Sequence, residues 1–160
     1  MPDTKIRIQK ATQILKEDHA KVKEIFEEYE DLGSRAHAGK MHRFMELKRE
    51  LTIHAQIEEE IFYPAIRERG EEDEHARELV TEAIEEHAVV KTLLEELSSL
   101  TPRDEEFDAK MKVLQDNVLH HAEDEEKEMF PLFEELEAQE QEIVSERLRQ
   151  RRLDLAGEYE

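Results

Sequence analysis

Apolar residues recur along the chain at intervals of three and four, the spacing that places side chains on one face of an α-helix. This pattern predicts five helical segments, over residues 4–31, 40–69, 73–97, 101–138 and 142–155. The fourth has a distinct start, because Thr101 can cap a helix, Pro102 suits its first position and Asp104 stands at the capping-box position. Four glycines and four prolines in 160 residues disfavour a turn-rich β fold. The predicted fold class is therefore all-α.

The first two predicted helices are repeated as the third and the fourth. Residues 15–32 align with residues 83–100 at 8 identical positions of 18, and residues 51–66 align with residues 118–133 at 5 of 16. Two such helical hairpins predict an up-down-up-down four-helix bundle with approximate twofold symmetry. We assign residues 1–138 to the bundle and residues 139–160 to an additional C-terminal amphipathic helix and tail.

The predicted core face of each bundle helix carries a single histidine. The four are His19, His54, His87 and His121. One histidine on an apolar face is more often a hydrogen-bonded core residue than a metal ligand. Here, however, counting residues to the helix ends at about 1.5 Å per residue places all four imidazoles at nearly one level of an antiparallel bundle. Their shared level favours a common site.

Two of these faces also carry a glutamate one turn beyond the histidine, so that each histidine and its glutamate point to the same side. Carboxylates in an apolar core are strongly destabilising unless cations balance them, and these faces contain no lysine or arginine. Metal ions can supply the positive charge. We therefore predict a pair of metal ions held by six residues: His19, His54, Glu58, His87, His121 and Glu125.

The donor atoms of this set restrict the choice of metal. Nitrogen and oxygen ligands without sulfur favour iron or manganese over a structural zinc, and the chain contains no cysteine. Six protein ligands do not saturate two six-coordinate ions unless the carboxylates bridge and water, hydroxide or oxo fills in. A small diatomic molecule or a peroxide would bind at the open positions.

The order His19, His54-x-x-x-Glu58, His87, His121-x-x-x-Glu125 resembles the hemerythrin-like (HHE cation-binding) domain family over roughly residues 8–135. The resemblance implies a four-helix bundle around two iron ions bridged by oxo or hydroxo, with both glutamates bridging the irons and with manganese or zinc less favoured. It also implies binding or reduction of O2, H2O2 or NO, in oxidative or nitrosative stress or in iron homeostasis. Catalase-like peroxide breakdown is one form of this activity.

The chain departs from the oxygen-carrying members of that family. Lys91 stands where their third helix has a second histidine, four residues after His87, which argues against reversible oxygen storage. His120 lies five residues before Glu125, matches their HxxxxD spacing and so competes with His121. The core face and the internal repeat both favour His121. The pattern resembles the His-poor subgroup of the family.

Ferritin-like di-iron enzymes instead use Glu-x-x-His, and none of the five candidate histidines has an acidic residue three positions before it. Pro64 and Pro131 each remove a helical hydrogen bond and predict a kink just beyond the ligands. Four further side chains are candidates to surround the ligands: Tyr63, Tyr29, Lys91 and His120.

The formal net charge of −20 repels phosphate polymers and anionic lipids, so neither nucleic acid nor a membrane is expected as a partner. The first residues contain no apolar signal segment, and a cytoplasmic location is expected. Two other functions remain open. One is a non-catalytic O2 or NO sensor or iron-handling module, which contacts a protein partner or a second copy through residues 142–155. The other is a structural bundle without metal.

Overall fold

The computed structural model describes residues 9–69 and 73–159, and over these residues the chain folds into five helical rods. Two of the rods contain a short π-helical turn, so that each is divided into two α-helices. In chain order the elements are α1 (Ala11–Glu30); α2 (His37–Ile57), a first π turn (Glu58–Phe62) and α3 (Tyr63–Arg69); α4 (Glu74–Ser98); α5 (Glu105–Asp124), a second π turn (Glu125–Met129) and α6 (Phe130–Glu134); and α7 (Ala138–Glu158).

Two hydrophobic clusters fill the bundle, one at each end. The first cluster is formed by residues near the beginnings of α1 and α4 and near the ends of the other two rods, including Leu15, Val80, Phe62 and Phe133. The second cluster takes the opposite ends of the same four rods and is centred on phenylalanines from α1, α2 and α5. Neighbouring rods therefore run in opposite directions. The predicted all-α, up-down-up-down bundle is confirmed.

Within the described residues, two helices begin later than the sequence pattern predicts. The first predicted helix starts at residue 4, in a stretch that lies outside the described residues, and α1 begins at Ala11, whose N–H donates to the Ser145 hydroxyl at 2.8 Å. The predicted N-cap Thr101 and first helical residue Pro102 are wrong by three residues, because the structure has Asp104 at the N-cap. The Asp104 carboxylate accepts the Thr101 N–H at 2.7 Å and closes a separate turn, so α5 begins at Glu105.

The two π turns each begin at one of the candidate glutamates. The N–H of Tyr63 donates to the carbonyl of Glu58, and that of Phe130 to the carbonyl of Glu125, five residues back instead of four. A proline follows directly in each rod, and its ring crowds the carbonyl four residues before it, which a wider turn relieves. The disturbance is thus a wide turn at the glutamates, where the sequence predicted a kink beyond them.

The C-terminal helix α7 packs against α1, α2 and the first π turn. It buries Val144, Ser145, Leu148 and Leu155, so it extends the first hydrophobic cluster beyond the four bundle rods. It begins at Ala138, four residues before the predicted start. Among the described helices, none combines the length and the apolar composition that crossing a lipid bilayer requires.

Candidate metal centre

A layer of polar side chains separates the two hydrophobic clusters, and all six predicted ligands lie in it. The four imidazoles stand at one level, with ring centroids 4.9 Å apart for His19 and His54 and also 4.9 Å apart for His87 and His121. The two carboxylates are almost wholly removed from solvent, Glu58 being 0% and Glu125 3% exposed. The four imidazoles therefore share the level that helical rise predicts from the sequence.

The inward-facing atoms form two groups that share carboxylates. In one group, His54 Nε2 lies 3.0 Å from Glu58 Oε1, and His19 Nε2 lies 3.3 Å from Glu125 Oε1. In the other group, His87 Nε2 lies 3.3 Å from the same Glu58 Oε1. His121 Nε2 lies 3.2 Å from Glu125 Oε2 and 3.2 Å from His87 Nε2. Each carboxylate thus faces imidazoles of both groups.

Several of these atoms are close together without being hydrogen-bonded. His19 Nε2, His54 Nε2, Glu125 Oε1 and both carboxylate oxygens of Glu58 are buried and lack a hydrogen-bond partner. A buried polar atom with no partner costs about 1–3 kcal/mol. Two donors held at about 2.1 Å from one metal ion, at a right angle, would lie about 3.0 Å apart. The spacing and the missing partners both fit atoms that converge on metal ions.

The charges in the layer are strongly coupled. Burial alone would lower the pKa of His54, but Glu58 and Asp18 raise it well above its usual value of 6.5. Burial likewise opposes the charge on His121, yet Glu125 and Glu86 raise the pKa of His121 to about 10. In the metal-free protein, protonated His54 and His121 therefore balance part of the carboxylate charge, a source of positive charge that the sequence analysis left out. A metal ion must displace those protons when it binds.

Each imidazole turns its other nitrogen, Nδ1, towards a carboxylate from a different rod. The Nδ1-to-oxygen distances are 3.0 Å for His54 and Asp18, 3.3 Å for His121 and Glu86, 3.4 Å for His19 and Glu126, and 3.5 Å for His87 and Glu59. We call these four acids the outer carboxylates. They form a ring around the bundle, because the acid on each rod faces the histidine on the next rod. An outer carboxylate on a ligand histidine fixes the ring orientation and increases its basicity as a ligand.

Sequence reasoning missed the outer carboxylates, although a signal was present. Asp18 and Glu86 each directly precede a candidate histidine, and Glu59 and Glu126 each directly follow a candidate glutamate. On one helix, neighbouring residues point about 100° apart. Each acid therefore turns away from its sequence neighbour and towards the adjacent rod.

Tyr63 joins the group that contains His87 and His121. Its hydroxyl donates to Glu125 Oε2 at 2.7 Å and lies 3.1 Å from His87 Nε2 and 3.2 Å from His121 Nε2. The first π turn explains this reach, since an i→i+5 turn brings residue 63 over residue 58. Burial and the two nearby glutamates raise the pKa of Tyr63 well above its usual value, so the phenol keeps its proton in the metal-free protein.

The other three surrounding candidates lie apart from the cluster. The prediction that Tyr29 surrounds the ligands is wrong, because Tyr29 lies about three turns along α1 from His19. Its hydroxyl donates to Asp108, which also accepts from the buried Lys40 at 3.0 Å. The side chain of His120 is 71% exposed and lies 3.1 Å from Asp124, so His121 and not His120 faces the layer. Lys91 is exposed on α4.

A cavity of about 850 Å³ adjoins the layer on the side of the second hydrophobic cluster. Apolar side chains from all four bundle rods line it, among them Val22, Leu51, Leu94 and Val118, and its inner end includes the four candidate histidines. It reaches the surface between α2 and α4, where Lys91 lies at its edge. A small molecule can therefore approach the layer without unfolding a helix.

Fold and site together define a helical bundle with a buried histidine–carboxylate centre, a class of metal-binding protein. Residues 10–133 match the family model described as the hemerythrin HHE cation binding domain, and the chain belongs to that family.

Two individual proteins extend the comparison. The crystal structure of a hemerythrin HHE cation binding domain-containing protein from Mycobacterium kansasii superposes with a TM-score of 0.78 at 23% identity, covering 94% of this chain and 89% of that one. A protein named DNA nickase from Nostoc sp. is 30% identical over 118 residues, 73% of this chain. The chain spans about a third of the length of that curated relative, 31%.

Proposed function

We propose that the protein holds two iron ions in the buried layer, bridged by oxo or hydroxo, and uses them to bind or reduce a small oxidant such as O2, H2O2 or NO. His19 and His54 would hold one ion, and His87 and His121 the other. Glu58 and Glu125 would bridge the two. The observation that carries this proposal is the convergence of buried donor atoms that lack hydrogen-bond partners. Glu58 belongs to both groups, and Glu125 faces His19 in one group and His121 in the other.

When bound, the ions would supply open coordination positions and one-electron redox chemistry. Residues of the chain orient the ligands, hold a proton near the site and limit the access of water. Three outer carboxylates, Asp18, Glu86 and Glu126, hold their imidazoles with Nε2 facing inward. The fourth, Glu59, lies 3.5 Å from His87 Nδ1, which lacks a hydrogen-bond partner in the metal-free protein. The Tyr63 hydroxyl keeps a proton within 2.7 Å of Glu125 Oε2, where an oxygen-containing ligand could accept it. The first hydrophobic cluster closes the layer on the side away from the cavity and excludes bulk water there.

The cavity that leads to the layer suits the small oxidants named in this proposal. The cavity beside the histidines is wide enough for a diatomic molecule or a peroxide, and its apolar lining favours small uncharged ligands. Catalase-like turnover converts two H2O2 into two H2O and one O2 and needs no other reductant. We propose this reaction as the activity to test first, with a role in oxidative or nitrosative stress or in iron homeostasis.

A second candidate function is a non-catalytic O2 or NO sensor or an iron-handling module. The observation in its favour is on α7, where Ile143 is 54% and Leu153 55% exposed. Large apolar side chains at the surface suit contact with a protein partner or a second copy. Inert behaviour towards H2O2, together with self-association that Ile143→Ser and Leu153→Ser abolish, would favour this function.

We further propose that nucleic acid is not a partner, despite the name of the Nostoc relative. The match covers only part of that protein, and the net charge of −20 opposes a phosphate backbone. Incubation of the iron-loaded protein with supercoiled plasmid, with and without a chelator, tests this. Nicking that depends on the protein and survives removal of free iron would contradict it.

Metal analysis and oxygen evolution test the main proposal. Protein produced with added iron should contain about two irons per chain and show an absorption band from oxo or hydroxo bound to iron. On addition of H2O2 it should release O2, and Glu58→Ala should abolish the release. His120→Ala is the matched control, because that exposed side chain touches no atom of the layer. Iron-free protein from iron-rich cells would refute the proposal.

A further inference from the structure

The four outer carboxylates differ in their access to solvent. The side chains of Glu126, Glu86 and Glu59 are 31%, 32% and 42% exposed, so water can solvate their charge. The side chain of Asp18 is only 7% exposed. A buried carboxylate is costly unless a cation and additional hydrogen bonds compensate it. Asp18 is thus the one outer carboxylate of this ring that requires a fixed positive partner.

Arg152 of α7 is that partner. Its Nε donates to Asp18 Oδ1 at 3.0 Å and to Oδ2 at 3.2 Å, and its Nη2 donates to Oδ1 at 2.5 Å. The guanidinium thereby fixes the plane of the carboxylate. Asp18 Oδ2 is left facing His54 Nδ1 at 3.0 Å. A planar fork of two N–H groups holds a carboxylate in one orientation, which a lysine cannot do.

The helix that carries Arg152 is itself firmly placed. Ser145 and Leu148 of α7 are 2% and 0% exposed, and the Ser145 hydroxyl accepts the first N–H of α1. The position of the guanidinium is therefore set by the packing of α7 on α1 and α2. For the other three outer carboxylates, the described contacts include no arginine.

We propose that Arg152 is a positioning residue, which acts through Asp18 to orient His54 towards the metal ion held by His19 and His54. The inference rests on the proposed metal site and adds to it a dependence of one ion on the C-terminal helix. Among the described contacts, no arginine of α7 touches His87, His121 or their outer carboxylates Glu59 and Glu86. Loss of Arg152 therefore weakens one of the two ions and leaves the other in place.

Arg152→Met tests this, with Arg151→Met as the matched control. Arg151 stands next in the chain and pairs with Glu60 at 2.8 Å, and Glu60 contacts none of the four imidazoles. Metal-free protein of each variant is titrated with Co²⁺, whose visible absorption reports nitrogen and oxygen ligation, and with Fe²⁺ under argon. Wild type and Arg151→Met should each bind two ions, and the affinity for each ion should be the same in the variant as in wild type. In Arg152→Met, one ion should bind about 10- to 100-fold more weakly.

A double-mutant cycle distinguishes positioning from a general effect on the fold. If Arg152 acts through Asp18, Arg152→Met should cause no further loss of metal affinity in an Asp18→Ala background. Arg152→Lys, which keeps the charge without the fork, should restore only part of the affinity. Circular dichroism checks that the helical content is retained; should Arg152→Met lose it, Arg152→Gln takes its place.

The possible results separate this inference from the proposed function. Wild-type protein that binds fewer than two ions overturns the proposed di-metal site and this inference with it. Wild-type protein that binds two ions, with Arg152→Met unchanged, overturns this inference alone. Equal weakening of both ions, or a further loss in the Asp18→Ala background, also overturns it.

Discussion

Tyr63 and Phe130 occupy equivalent positions in the two repeats, yet only Tyr63 brings a hydroxyl group into the polar layer. The Tyr63 oxygen lies 2.7 Å from Glu125 Oε2, whereas the Phe130 ring stacks on His19 with the centroids 6.0 Å apart. The pseudo-symmetry of the chain is therefore broken at the centre. One proposed ion faces a phenol, and the other faces an apolar ring.

Tyr63→Phe should make the two halves of the layer alike. The hydroxyl is buried and hydrogen-bonded to a carboxylate, so we expect the metal-free protein to lose about 1–3 kcal/mol of unfolding free energy, measured with urea. Iron stoichiometry should stay the same, while the visible spectrum of the loaded protein changes. Tyr29→Phe, which removes the hydroxyl bound to Asp108 far from the layer, should leave that spectrum unchanged. Identical spectra for wild type and Tyr63→Phe would show that the phenol does not influence the ions.

The metal-free protein should become less stable as the pH rises from about 6.5 to about 10. The pKa of His121 is raised from 6.5 to about 10, and those of His54 and His87 are also raised. A raised folded-state pKa means that protonation favours the folded state, so this stabilisation is complete below 6.5 and is lost as the pH passes through the folded-state value. Urea unfolding at several pH values measures it. Stability that is flat or increasing over this range would contradict the assignment.

Metal loading should release protons and remove that pH dependence. Since the imidazoles must lose their protons to ligate an ion, adding Fe²⁺ or Co²⁺ to metal-free protein at pH 7 should acidify a weakly buffered solution. A pH indicator dye measures the protons released per ion. His120→Ala should release as many as wild type, because His120 is exposed. His121→Ala should release fewer.

Removal of metal should lower the melting temperature. An ion that binds only the folded state adds about 2.7 kcal/mol when its free concentration is 100 times Kd. For a chain of this size that corresponds to several degrees in Tm. Calorimetry before and after exhaustive chelation measures the change. If chelation leaves Tm unchanged, the histidines and glutamates form a metal-free core, as in the structural bundle without metal that the sequence left open.

The sequence predicted the bundle and the relative placement of the six candidate ligands because both depend on helical periodicity. One histidine on each core face and the i, i+4 glutamates fix direction and depth once the rods are antiparallel. His121 could be preferred over His120 for the same reason, since adjacent residues point to different faces.

Other features depend on contacts that periodicity does not contain. The position of Tyr63 follows from a π turn, whereas a proline in the sequence indicates only that a regular hydrogen bond is lost. Tyr29 is an exception, because it stands ten residues after His19 on the same helix and helical rise alone, about 15 Å, places it too far along the bundle to reach the layer. The pairing of Arg152 with Asp18 joins positions 134 residues apart and requires the docking of α7 on α1.

Anomalous diffraction at the iron edge, from crystals of iron-loaded protein, tests the central claim most directly. The account predicts two peaks in the polar layer, one beside His19 and His54 and the other beside His87 and His121, with both glutamate carboxylates between them. A layer without peaks in iron-replete crystals, or iron bound only at surface acidic residues, would contradict it.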